Sequence, residues 1–341
     1  MSTDALTDRA TAPASTSRRP ATPGLRGMLW LVLRQNRWLL WALTALVVLA
    51  AAGLLWIHTA CRQIIDLLRQ TGCWSPETWS DTRCWTSLSP IEWPDFWFLN
   101  VLQPAVTAAP LLIGVFIGAP VLAQEYERGT IRLIRAQSVS PVRWLAVRLA
   151  VPGLAVLALS GVLASLMTWV WWTDIVHGPM AFDPPFQFFT YPAIGVAPVA
   201  WSLFALSLGV LVGQLVRRTL PAMFLTGALV ATVHGLIRWA RPYFHPIVNE
   251  VGPLHTGRPI DAQPTNAWLV DHGVILADGT RVGSDACIAS RATSDRCDGA
   301  TDYWLTYHPA DHLVPIQLVE AGILLTLTAV ILVVVFRRIR A

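Results

Sequence analysis

Two histidines four residues apart, His308 and His312 in "HPADH", have a spacing at which two imidazoles can share one metal ion. His245, His255 and His272 lie in the same polar stretch. Pro309 follows His308 directly, and neither an H-E-x-x-H motif nor clustered cysteine ligands accompany the pair. We therefore read these as ordinary loop histidines and expect no metal and no cofactor. Proton transfer through a membrane is a second chemistry, and it needs ionisable groups inside apolar runs. Glu320, His234, Arg238 and Arg148 have that position. Arg148 and Arg238 stand near run ends, where a long side chain reaches water. Glu320, within about two helical turns of an end, is expected to do the same, and His234 reads as a packed side chain. ATP hydrolysis is a third chemistry, and composition excludes its usual form. All 25 residues of the Lys/Arg class are arginine, so the lysine of a phosphate loop, G-x-x-x-x-G-K-[ST], is missing.

The most compact charged segment is "LAQEYERGTIRLIRAQSVSPVRW", Leu122 to Trp144, placed between two long apolar runs. If its middle is helical, Arg128, Arg132 and Arg135 fall at i, i+4 and i+7 on one face. Such a face docks on a partner or lies against anionic headgroups. The lipid-anchor reading is the plainer one. Glu125 and Glu127 count against it, because acids gain nothing beside anionic lipid. Gly129 offers an unusual backbone turn, and Ser140-Pro141 reads as the cap and first residue of the next helix.

The elements that position these residues follow from composition. The chain of 341 residues is 54% hydrophobic and 13% charged, against about 25% charged in soluble domains. Its 17 tryptophans suit a membrane interface. Apolar runs of about 20 residues span a bilayer as helices, and six occur: Trp38–Ile57, Val101–Ala123, Leu145–Trp171, Ala193–Val216, Leu220–Trp239 and Leu313–Phe336. The fold class is thus an all-α integral membrane protein with six transmembrane helices. Arginines collect before the first run, between the second and third, between the fourth and fifth, and after the last. The positive-inside rule makes that side cytoplasmic, with both termini on it. Residues 1–23 read as a disordered cytoplasmic tail. Residues 24–37 read as an amphipathic interfacial helix, with Arg26, Trp30, Arg34 and Arg37 on one face. Residues 38–341 form the transmembrane domain, including the loop 124–144 and outer loops 58–100 and 241–312. The first outer loop should begin as a helical extension, "TACRQIIDLLRQ". The last is long enough for a small extracellular lobe before the final helix, with short strands and an Asp278-Gly279 turn. All five cysteines, Cys61, Cys73, Cys84, Cys287 and Cys297, fall outside, where disulfides are permitted. Cys287 with Cys297, and Cys73 with Cys84 or Cys61, are the candidate pairs.

This layout resembles the membrane subunit of ATP-binding-cassette exporters of the second type, the ABC-2 permeases. The resemblance rests on six spans preceded by an interfacial helix, and on an acidic residue followed by Gly-Thr between spans two and three, here "EYERGTIRLI". "APVLAQEYERGTIRLIRAQSVSPVRWLAVRL" and "YHPADHLVPIQLVEAGILLTLTAVILVVVFRRIR" are similar to permeases of this type from GC-rich bacteria. The resemblance implies a multi-pass protein of a bacterial plasma membrane with no catalytic residue of its own. It implies that Glu125, Glu127, Arg128, Gly129, Thr130, Arg132 and Arg135 couple to a separate ATP-binding-cassette ATPase subunit. It also implies a homodimer or a paired homologous permease in contact with membrane lipid, and no nucleic-acid partner. The spans carry no array of charges, so the expected cargo is hydrophobic or amphiphilic, lipid or drug-like, moved outward. The alternatives are a proton-coupled secondary transporter and a non-transporting membrane anchor or sensor.

Overall fold

The computed structural model describes residues 25–73, 97–129, 140–175, 184–253, 263–264, 266–284 and 299–340. The tail 1–23, Thr130, Arg132, Arg135, Cys84, His255, Cys287 and Cys297 lie outside the described residues. A short helix, α1 (Leu25–Gln35), leads into α2 (Arg37–Thr71). Then come α3 (Asn100–Glu127), α4 (Pro141–Thr173), α5 (Ala197–Val216), α6 (Thr219–Ala240) and α7 (Leu313–Arg340). Among the described residues, helices α2 to α7 are the six long and apolar enough to cross a membrane, and each contains one of the six apolar runs almost whole. The run past Ile57 continues as helix to Thr71, as the "TACRQIIDLLRQ" extension requires.

Local chemistry sets the helix ends. Ser140 caps α4, its hydroxyl accepting from the Arg143 N–H at 3.2 Å, and Pro141 follows as the first helical residue. Helix α3 ends at Glu127, and Gly129 takes a φ of 70°, a left-handed conformation that glycine adopts without a Cβ clash. Arg128 therefore stands in a turn beyond the end of α3. Inside α3, Pro110 lacks the N–H that would close its turn, and a wide π-helical stretch, Ile113–Gly118, follows it.

Helix α5 is the most buried of the six and packs against α3, α4, α6 and α7, whereas α2 leans mainly on α4. The α3–α5 contact is made backbone to backbone. Gly114 and Gly118 on α3 meet Gly209 on α5, and Gly213 on α5 meets Ala119 and Ala123, so two small-xxx-small pairs with missing side chains let the helices close. A Cβ at Gly118 would lie 2.6 Å from the Leu206 carbonyl, and one at Gly213 would meet the Ala119 carbonyl. In hydrocarbon, where lipid is as apolar as leucine, such close packing is what holds helices together.

Between α6 and α7 the chain forms a four-stranded antiparallel sheet, so the all-α class describes the spans but not the whole chain. Strands β1 (Val248–Pro253), β2 (Trp268–Leu276), β3 (Arg281–Gly283) and β4 (Ala300–His308) pair in the order β1-β4-β2-β3. The β2–β3 turn is the Asp278-Gly279 turn read from the sequence. Gly279 has a φ of 84°, and the Asp278 carboxylate accepts from the Thr280 N–H at 2.8 Å. That bond to the backbone holds the Asp278 carboxyl below its usual range. A largely irregular stretch, residues 184–196 with one 3-10 turn at Tyr191–Ala193, tucks into the same end of the bundle. Gln317 of α7 satisfies its backbone: the side-chain amide donates to the Tyr191 and Ile194 carbonyls at 3.1 and 3.0 Å and accepts from the Val196 N–H at 3.3 Å. Buried backbone outside helix and sheet needs such internal partners.

Candidate functional site

At the α1 end of the bundle, the acids that precede the α3–α4 turn bind groups on other helices. The Glu125 carboxylate accepts from the Arg148 guanidinium of α4 at 2.7 Å, and the same guanidinium donates to the Gln35 side chain at the end of α1, at 2.8 Å. Arg148 was expected to extend to water; instead it ties α1, α3 and α4 together, and its side chain is largely covered. Glu127 reaches the start of α6, where its carboxylate accepts from both the N–H (3.1 Å) and the hydroxyl (2.6 Å) of Thr219. It therefore acts as a cap supplied from another helix, placing negative charge at the positive end of α6. Beside it, the Arg217 guanidinium lies over the Tyr126 ring, 5.3 Å from its centroid. Arg128 and Gly129 are exposed in the turn itself. The charged segment thus divides in two. Glu125 and Glu127 bind within the chain, and Arg128 with Gly129 faces outward.

At the sheet end, Glu320 was expected to reach water. It is completely buried. Its carboxylate accepts from the Trp201 indole N–H at 2.7 Å and the Tyr191 hydroxyl at 3.0 Å, and it is clasped by Arg241 at 3.1 and 3.4 Å. Arg241 opens the turn after α6, and its guanidinium lies 3.6 Å from the Tyr191 ring centroid. Burial, together with the neighbouring carboxylate, pushes the Tyr191 phenol far above its ordinary range, so its hydroxyl remains a donor. The cluster joins α5, α6, α7 and the 184–196 stretch. His234 packs on Trp201, centroids 4.9 Å apart, and Arg238 lies over Phe188 at 4.1 Å. The sequence showed a lone acid in the last apolar run and an arginine just past the fifth. An intramembrane charge needs a partner, and that rule was the available signal for the pair. The small-xxx-small glycines were also readable and were missed.

Near this cluster, three of the histidines read as ordinary loop residues lie together. His245, His308 and His312 converge, with one ring nitrogen of each within 4.8 Å of the others.

A third feature is an apolar groove of about 750 Å³ between α2, α3 and α4. Leu46, Trp56, Trp97, Phe116 and Leu163 are among its walls. Its hydroxyls, Ser160 and Ser202, donate to carbonyls of their own helices, so neither donor is left for a ligand. Cys73, at the far end of α2, is disulfide-bonded.

A family model described as "ABC-2 membrane transporter related" matches residues 43–241, from early α2 through Arg241. No curated protein and no solved structure matches the chain.

Proposed function

Because the chain belongs to the ABC-2 membrane transporter related family, whose members are membrane components working with an ATP-binding-cassette subunit, we propose that it is the permease of an ATP-driven exporter whose ATPase docks on the α3–α4 turn. One observation carries this reading: the α3 end of the turn is tied to other helices by two successive acids. Glu125 links its start to α4 and α1, and Glu127 links it to α6. A displacement of the turn by a soluble motor is thereby delivered to four helices at once. The exposed Arg128 and Gly129, with Thr130, Arg132 and Arg135 beyond them in sequence, supply the docking surface. The two acids transmit through the helices they hold.

The arginine-rich ends face the cytoplasm and the sheet faces outside. The disulfide at Cys73, on the sheet's side of α2, supports this orientation, since disulfides persist in oxidising compartments. The apolar groove supports a hydrophobic or amphiphilic cargo, because its walls bury carbon and leave the serine donors spent. Two permease copies make the working unit, with the weakly packed α2 and the groove beside it open to lipid or to the second copy. Glu320, enclosed and held by Tyr191, Trp201 and Arg241, acts as a structural tie rather than a proton carrier.

The test is charge reversal in the reconstituted permease–ATPase complex. Glu127→Arg should lower transport and substrate-stimulated ATP hydrolysis while chain abundance stays normal. Unchanged ATPase assembly and transport would refute the coupling role, and a lipid anchor would leave this variant neutral or improved.

A further inference from the structure

The geometry points to a divalent-metal site of the zinc class built from His245, His308 and His312, at the joint between α6, β4 and α7. The closest approach is His308 Nδ1 to His312 Nδ1, 3.1 Å. Two imidazoles on one tetrahedral zinc, with bonds of about 2.0–2.1 Å, keep their nitrogens about 3.3 Å apart. His245 completes the set, its ring centroid 4.1 Å from that of His312. Pro309 makes the arrangement rather than preventing it. Its extended backbone ends β4 and starts the short turn Ala310–His312, which folds His312 back over His308.

His308 is the most informative of the three. It is completely buried, and its Nε2 lies 3.0 Å from the Pro242 carbonyl. A carbonyl only accepts, so Nε2 carries the proton and the lone pair of the neutral ring sits on Nδ1, facing His312. Metal-binding histidines are fixed in this way, the far nitrogen donating to a backbone carbonyl or carboxylate. His245 and His312 are partly exposed, which leaves an approach for the ion and room for a water as a further ligand. Three imidazole nitrogens suit zinc, copper or nickel and not magnesium or calcium, which take oxygen ligands. The three ligands come from the loop between α6 and β1, the end of β4 and the turn before α7, so a bound ion would clamp the sheet to the helices. Pro242 follows Arg241, and the clamp therefore abuts the buried Arg241–Glu320 pair.

The experiment uses the untagged full chain in nanodiscs, stripped with chelator and titrated calorimetrically with zinc chloride at neutral pH. We expect one zinc ion per chain, a higher melting temperature with zinc present, and no binding of magnesium. His312→Gln and His245→Gln should each weaken zinc binding at least about tenfold and abolish the zinc-dependent rise in melting temperature. His272→Gln, a sheet histidine outside the cluster, should change neither. His308→Ala risks misfolding at a buried position, so the two partly exposed variants carry the test, each checked for an unchanged elution profile. An absence of saturable zinc binding, or an equal loss in His272→Gln, would overturn the site and leave a packed histidine cluster.

Discussion

The two ends of the helix bundle handle carboxylates in opposite ways. At the sheet end, Glu320 is wholly enclosed and each of its oxygens is held by donors from other elements, Arg241 among them. At the α1 end, Glu125 is half-buried against Arg148, and Glu127 is exposed while capping α6. A buried charge is costly without its partner, whereas an exposed one loses little when its partner goes. The first arrangement fixes a structure; the second can be made and broken as a turn moves. The contrast assigns rigidity to the sheet end and adjustability to the end that carries the α3–α4 turn.

The largest effect should come from breaking the rigid end. Glu320→Ala leaves Arg241 buried and unpaired, and should cost about 3–5 kcal/mol. Thermal unfolding in nanodiscs should show a marked fall, with low chain abundance in cells. The paired replacement Arg241→Met with Glu320→Leu should recover much of the loss, since an apolar pair of similar volume removes both charges. A melting temperature untouched by Glu320→Ala would end the contrast.

The seam that joins the two ends comes next. Gly118→Val drives a side chain into the Leu206 backbone and should cost about 1–3 kcal/mol through overpacking. Gly53→Val, on the open side of α2 with nothing within 4 Å of its Cβ position, is the control and should melt near the parent.

The adjustable end should show smaller stability effects and larger functional ones. Arg148→Met removes a largely covered but solvent-adjacent pair and should cost at most about 1 kcal/mol. Coupled ATP hydrolysis should nevertheless fall, because α1 and α4 lose their link to the turn. A loss of stability as large as that of Glu320→Ala would show the two ends to be alike. Thr219→Ala should be the mildest in stability, with a melting temperature near the parent. It discriminates between two roles for Glu127. If Glu127 works by holding α6, Thr219→Ala should lower transport in the same direction as Glu127→Gln, and the double variant should be no worse than the more severe single. If Glu127 touches the ATPase directly, Thr219→Ala should leave transport unchanged.

Part of the molecule was legible in the one-dimensional pattern, for a physical reason. Membrane spans depend on the length of apolar runs, caps on one or two residues, and tight turns on a glycine beside an aspartate. Six spans, Ser140-Pro141 at the start of α4, the turn at Gly129 and the Asp278-Gly279 hairpin are such local properties, and the structure holds them where the sequence placed them. The candidate docking turn was legible as a place, because its charge interrupts apolar runs.

What its residues touch was not legible. The partners of Glu320 lie 79 to 129 positions away in the chain, and Thr219 lies 92 positions from Glu127. No local pattern encodes which helices become neighbours. Only the close packing of α3 on α5, and the return of the sheet to α6 and α7, decide that Glu320 is sealed, that Arg148 finds Glu125, and that His245 meets His308 and His312 across more than sixty positions of chain. The sequence by itself determined that this chain crosses a membrane and where it must leave it. The tertiary structure decided which charges are buried as ties and which stay at the surface, because burial and pairing belong to the assembled bundle and not to any one helix.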